Sequence, residues 1–391
     1  MFFVDKPYIS EFFKATVRDN AIPVVGTDIA QKMSLYSGTN IIAEERAIEI
    51  VKQLDNPTIY TTSENSYHWI SKHLHFSEIP KKIELFKNKY KFRKLTKSIF
   101  PNFYFREIPA KDLKRIEFDQ IPLPFMLKPI TGFFSMGVYK VSSYSEWVKI
   151  IDLIKEEIAQ TKNLYPECVL NTNSFIIEEY INGEEFAVDA YYNSIGKPVI
   201  LGIFKHIFSS DNSVSQRVYC SSKEIIESNL EEFTNFLEKI GDLAKIKNFP
   251  VHIELRRNSN GILLPIEVNP IRFGGWCSTA YLSFLAHGFN SYLYFYYQKK
   301  PDWCQALQGK EGKLFSMVIL DNSTGKNVNE ITSFNYDKLL ENFEKPLELR
   351  KIDYKQYPIF GILFIETREE NFMEIKNIID SDLSEFITVN K

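Results

Sequence analysis

Residues 251–275, VHIELRRNSNGILLPIEVNPIRFGG, alternate apolar and polar side chains on both sides of an Asn-Gly turn, which predicts two antiparallel strands. Successive side chains on a strand point to opposite faces, so Val251, Ile253 and Leu255 line one face while His252, Glu254 and Arg256 line the other. On the second strand Ile266 and Val268 are the apolar set, Glu267 and Asn269 the polar one. If NSNG at 258–261 closes the turn, two carboxylates and an amide oxygen converge. Paired carboxylates do not both stay ionised cheaply unless a cation or a shared proton compensates them. Glu254, Glu267 and Asn269 are hard oxygen donors that suit magnesium; a hairpin with one wet face is the other outcome the pattern allows.

The chain of 391 residues exceeds one ordinary core, so several lobes are expected. A net charge of -3 and a pI near 6.2 leave no electrostatic footprint for nucleic acid. No apolar run approaches a membrane span, and the start MFFVDKPYISEFFK lacks the basic, apolar and small-residue regions of a signal peptide. The expectation is a cytoplasmic protein with neither nucleic acid nor membrane as partner. Cys168, Cys220, Cys277 and Cys304 lie far apart without C-x-x-C spacing, which argues for reduced thiols over disulfides or zinc. His68, His73 and His75 have no acidic or cysteine partner at ligand spacing and read as a helix surface. The basic run KNKYKFRKLTK at 87–97 reads as a solvated helix face or as a local contact for a polyanion.

Residues 1–85 mix short apolar runs, IPVVGT and PTIYTTSEN, with helical stretches such as AEERAIEIVKQL, the alternation of a small α/β lobe. No G-x-G-x-x-G dinucleotide fingerprint follows a strand there. A basic helix and the proline-rich IPLPF then read as a connection into a second lobe. From 125 onward strand patterns dominate, with helices expected at 144–160 and 223–247, giving an α+β body with antiparallel sheets. After GKEGK, two strands and a helix near 369–380 form a small C-terminal α/β lobe.

Two further stretches carry chemistry. In FMLKPITGFFSMGVYKV, Lys128 ends an apolar strand and a glycine loop follows, so an ammonium and backbone amides can meet phosphate oxygens; a plain hairpin is the competing reading. The P-loop pattern is absent from the chain. In FIIEEYINGEEFAVDAYY, a strand ends in acids before Asn182-Gly183, Glu184 and Glu185. Such a connector can offer backbone groups to an adenine and a carboxylate to ribose, or be an acidic turn and nothing more.

Taken in order, the basic helix, strand lysine with glycine loop, acidic connector and Glu / Glu-x-Asn hairpin followed by Arg272 and Gly274-Gly275 resemble the ATP-grasp superfamily of ATP-dependent carboxylate-amine ligases. The resemblance covers roughly residues 85–290. It implies an ATP-grasp fold with two α+β subdomains, at 86–182 and 183–305, between an N-terminal α/β lobe at 1–85 and a C-terminal one at 306–391. By that likeness Lys89, with Lys91 as the alternative, and Lys128 are the nucleotide lysines. Gly132, Ser135, Met136 and Gly137 belong to a lid over the triphosphate. Glu178, Glu179 and Ile181 resemble the adenine hinge, the last two through backbone groups, and Glu185, with Glu184 beside it, the ribose acid. Glu254, Glu267 and Asn269 match magnesium ligands, with two ions implied, and Arg272 resembles the arginine that stabilises acyl-phosphate oxygens or a substrate carboxylate. The chain departs from the commoner N-P-R-x-G-G because Ile271 adds one residue before the arginine.

The implied reaction activates a small carboxylate, such as an amino acid, as an acyl phosphate and joins it to an amine, with Lys128 and Arg272 as catalytic groups. Phe133, Phe134, Phe273 and Trp276 can make the substrate pocket aromatic or serve as core, while His252, Arg256 and Arg217 are secondary phosphate candidates. ATP and the carboxylate and amine substrates are then the expected partners, and a homodimer is compatible. A phosphotransferase acting on a hydroxyl and a silent ATP-binding protein are the alternatives.

Overall fold

In the computed structural model, residues 1–132, 137–161, 171–208 and 218–389 are described. The chain separates into two compact units, coarser than the four segments set out from the sequence. One comprises Met1–Gly183, Tyr191–Pro198 and Phe236–Trp276; the other comprises Glu184–Ala190, Val199–Asn235 and Cys277–Lys391.

The first unit begins with a parallel sheet of four short strands in the order Ile41–Ile42, Val24–Val25, Phe2–Phe3 and Tyr60–Thr61. Its helices follow local signals. Ser10 caps the helix Glu11–Asp19 by accepting from the amide of Phe13, which turns Phe13 and Val17 inward. Phe2, Phe13 and Tyr60 pack as one aromatic cluster, and Phe273 joins it against Tyr60.

A second, antiparallel sheet has the order Phe105–Pro109, Asn171–Glu179, Phe125–Thr131 and Tyr139–Val141. Helix Tyr144–Thr161 covers it through Trp147, Ile150, Ile151 and Ile154, packed on Phe125, Leu127 and Ile177. The strand FREIP lies within the stretch that the sequence suggests is a connection between lobes. It forms the sheet edge instead, where its terminal Pro109, lacking an N–H, costs no ladder bond.

The hairpin of the first unit pairs Phe249–Asn258 with Leu263–Pro270. Its register sets Glu254 opposite Glu267 and His252 opposite Asn269, and slips just after Glu254 so that Leu255 faces Pro265. A bulge beside a site re-aims side chains and ends regular pairing.

The second unit is built on antiparallel strands ordered Pro198–Ile207, Val218–Ser222, Lys313–Asp321, Ile359–Arg368 and Pro346–Lys351. Helix Met373–Asp380 buries Ile375, Ile378 and Ile379 in a core with Val318, Phe334 and Phe360. The helix expected to reach residue 247 stops at Ala244, because Lys245 turns to a φ of 50° that a right-handed helix cannot continue through. No helix among the described residues is long and apolar enough to cross a membrane.

Candidate functional site

Asn88 starts the basic helix by accepting from the amide of Lys91 at 3.0 Å, and the helix then runs Lys89–Thr96. Residues three and four apart share a helix face, so Lys89, Phe92, Arg93 and Thr96 point inward together. The reading of this run as a solvated face therefore holds for only part of it. Lys91, the alternative nucleotide lysine, is on the outer side and pairs with Glu84. Lys89 is buried, with its Nζ 3.0 Å from Glu267 Oε2.

Lys128 lies midway along Phe125–Thr131, a strand buried at all seven positions. Met126 sits opposite Glu178 in that ladder, which makes Lys128 the diagonal neighbour of Glu178 on the same face. The Lys128 ammonium donates to Glu178 Oε1 at 2.7 Å. Arg93 reaches the same carboxylate from the helix, its Nε donating to Oε2 at 2.7 Å, while Nη1 donates to the carbonyl of Pro265 at 2.6 Å. Its guanidinium lies 4.4 Å over the Phe103 ring. The buried Nη2 of Arg93 has no hydrogen-bond partner among the described residues. Burial opposes ionisation of Glu178, but the charges of Arg93 and Lys128 override it and hold the carboxyl at about 2.

On the hairpin, His252, Glu254 and Asn269 are buried beside the partly open Glu267. Asn269 Nδ2 makes a long contact of 3.4 Å to Glu267 Oε1. Burial again opposes the charge on Glu267, yet Lys89 and then Lys87 hold the carboxyl well below the carboxylate range. Among the described residues no group of three or more His, Cys, Asp or Glu is arranged to hold a metal ion. Two carboxylates and an amide are a partial oxygen set, of the kind magnesium uses when substrate phosphates complete its shell. The donors fit that ion.

Arg272 follows the hairpin. Its Nε and Nη2 donate to Glu64 Oε1 at 3.2 and 2.7 Å, and its Nη1 to the carbonyl of Phe273 at 2.8 Å. The extra Ile271 adopts a φ of 50°, uncommon for a β-branched residue. Glu64 Oε2 also meets Lys87 Nζ at 2.5 Å, and Lys87 donates to the carbonyl of Gly132 at 3.0 Å. Burial opposes the Glu64 charge, while Lys87 and Arg272 hold its carboxyl below the ordinary value. Burial pulls Lys87 below the usual lysine value against the attraction of Glu64.

Sequence reasoning missed Glu64, Lys87 and Arg93. For Arg93 a signal existed, since it lies four residues after Lys89 and one after an apolar Phe92. Glu64, 208 positions from Arg272, had none.

The remaining expected residues are scattered through both units. Glu179 accepts from the Tyr104 amide at 3.2 Å, and its own amide donates to the Tyr104 carbonyl at 3.1 Å. The Ile181 carbonyl accepts from Arg256 Nη1 at 2.8 Å. Gly137 has a φ of 69°. Glu185 belongs to the second unit, where His206 Nδ1 lies 2.9 Å from it in a buried pair, and Glu184 pairs at the surface with Lys205. Phe273 is core, and Trp276 stacks near Tyr8 at 6.0 Å. Ser135 and Met136, like Phe133, Phe134 and Arg217, lie outside the described residues.

Within the first unit, Lys87, Lys89, Arg93, Lys128 and Arg272 are thus linked to three carboxylates, Glu64, Glu178 and Glu267. Counting the buried Glu254 as a fourth carboxylate leaves five cations to four acids in this group among the described residues. Buried charge of one sign without full compensation is costly, and an anion relieves it. The orphaned Arg93 Nη2 is a further donor in the same cluster.

Residues 121–280 match the ATP-grasp domain family. The fold is similar to that of an L-amino acid ligase from Bacillus licheniformis, with a TM-score of 0.70 at 16% identity, covering 100% of this chain and 98% of that one. An N5-carboxyaminoimidazole ribonucleotide synthetase from Thermotoga maritima is similar at a TM-score of 0.62 and 13% identity, over 99% of this chain and 98% of the other. A biotin carboxylase from Campylobacter jejuni, in a β,γ-ATP complex, gives 0.63 at 11%, over 100% and 92%. No curated protein matches the sequence.

Proposed function

For a chain that carries an ATP-grasp domain within an ATP-grasp fold, we propose an ATP-dependent ligase that activates a small carboxylate and joins it to an amine. The observation that carries this reading is the cluster of buried lysines and arginines, in excess of its carboxylates, directly beside the Glu254–Glu267 pair. A nucleotide triphosphate supplies the missing negative charge. The TM-score of 0.70 to the L-amino acid ligase, against 0.62 and 0.63 for the other two structures, supports an amino acid as the acid.

In this reading Glu254, Glu267 and Asn269 would hold magnesium, which would supply neutralisation of phosphate charge. Lys89, whose Nζ lies 3.0 Å from Glu267, would meet phosphate oxygens as a point charge. Lys128, held in place by Glu178, presents its ammonium to the phosphates as a point charge. Arg272 orients the carboxylate so that one of its oxygens attacks the γ-phosphorus and ADP leaves. The amine then attacks the acyl carbon, the C–O bond to phosphate breaks, and an amide forms with loss of a proton from nitrogen.

The test is ATP hydrolysis coupled to product mass spectrometry over a panel of amino acids, comparing the parent with Glu267→Gln. Turnover should need both an acid and an amine and should fall at least ~100-fold in the variant, the scale of losing a key charge-stabilising group. Retained turnover in the variant overturns the metal assignment, and turnover with a hydroxyl compound that carries neither acid nor amine favours transfer to a hydroxyl.

A further inference from the structure

Each of the four residues 270–273 is held by the N-terminal segment 60–67. Tyr67 Oη donates to the Pro270 carbonyl at 2.6 Å, and the Thr61 amide donates to the Ile271 carbonyl at 2.8 Å. Glu64 takes two donors of Arg272, and the rings of Tyr60 and Phe273 lie 5.2 Å apart. This grip explains how Ile271 keeps its φ of 50°: a residue persists in a sparsely populated conformation only where its surroundings over-determine it, and such positions cluster at functional sites. The inserted residue turns the chain so that Arg272 meets Glu64.

Both partners are nearly enclosed, with side chains 12% and 10% exposed. Glu64 Oε1 takes Nε and Nη2 of Arg272, and the Phe273 carbonyl takes Nη1. A guanidinium carries five N–H donors, so this arrangement immobilises the group while its remaining N–H bonds stay available for an acid. Lys87, on the second oxygen of Glu64, prevents that carboxylate from swinging away.

We infer that Glu64 is a positioning residue for the acceptor step: it aims the Arg272 guanidinium at the substrate acid and does not itself touch the reacting atoms. This rests on the ligase reading given above. Misplacing a substrate-orienting group by about 1 Å costs ~100-fold in rate, so Glu64→Gln should lower kcat/KM for the acid by that order. The nucleotide lysines are paired elsewhere, so the KM for ATP should move less than ~3-fold, a bound set by the absence of direct contact.

The test is a double-mutant cycle of Glu64→Gln and Arg272→Gln, assayed as ATP turnover with an equimolar mixture of the twenty standard L-amino acids, with Glu64→Asp as the conservative variant. If Glu64 acts through Arg272, the Glu64 change costs little once Arg272 is gone, and Glu64→Asp recovers part of the rate. Equal losses in both backgrounds overturn the inference while leaving the ligase reading intact. Should the parent turn over no ATP with the mixture, the ligase reading fails in that form, and phenylglyoxal labelling of Arg272 mapped by mass spectrometry decides the positioning. Labelling should accelerate at least ~10-fold in Glu64→Gln, as expected when a carboxylate that favours the charged guanidinium is removed. Unchanged labelling overturns it, and a thermal melt of each variant shows that it is folded.

Discussion

Glu178→Gln tests the electrostatic argument most directly. The carboxyl is held at about 2 against an ordinary 4.5 because Arg93 and Lys128 each sit 2.7 Å from it, overcoming the cost of burial. At 1.36 kcal/mol per pKa unit, that difference contributes roughly 3 kcal/mol of stability at neutral pH. The folded value lies below the unfolded one, so the contribution is full above about pH 5 and is lost as pH falls toward 2. About 1 kcal/mol should remain at pH 3 by the same relation. Replacing the carboxylate by an amide also strands two buried cations, and removing one partner of a buried ion pair costs roughly 3–5 kcal/mol. Urea unfolding followed by tryptophan fluorescence at pH 7, 5, 4 and 3 provides the assay; Trp147 packs on Phe125 in the sheet that carries Glu178. The stability gap between parent and variant should be largest at pH 7 and shrink by about 2 kcal/mol at pH 3, the portion lost through linkage. A gap that stays constant from pH 7 to pH 3 would refute the assignment of Glu178 as an ionised, doubly paired carboxylate.

Other consequences follow from single contacts. Gly183 has a φ of 146°, and a Cβ there would lie 1.9 Å from the Arg257 carbonyl oxygen, so Gly183→Ala should destabilise the protein by about 3 kcal/mol or more, read as a lowered melting temperature. Lys89→Met should abolish the thermal shift produced by ATP with magnesium. Lys91→Met, which removes only an exposed pair with Glu84, should leave that shift intact and change stability by less than ~1 kcal/mol. Equal effects of the two lysine changes would contradict the division of the basic helix into an inner and an outer face.

Much of this architecture is local and therefore written in the chain itself. The alternation in residues 251–270 set the two-strand hairpin, and because a one-residue slip would expose its apolar face, it also set which polar side chains share a face. The helices Tyr144–Thr161 and Lys223–Ala244 follow from their apolar spacing, and the motif order pointed to the ATP-grasp fold that the comparisons show. Which charges are buried was not local. Lys89, Lys91 and Lys94 are the same residue type within one turn and a half, and only the packing of that helix made one a buried partner of Glu267 and another a surface ion pair. The pairing of Glu64 with Arg272 has no trace in the sequence around either residue. It exists because the parallel strand Tyr60–Thr61 ends beside residues 270–273, and a carboxylate brought there by tertiary folding must find cations once water is excluded.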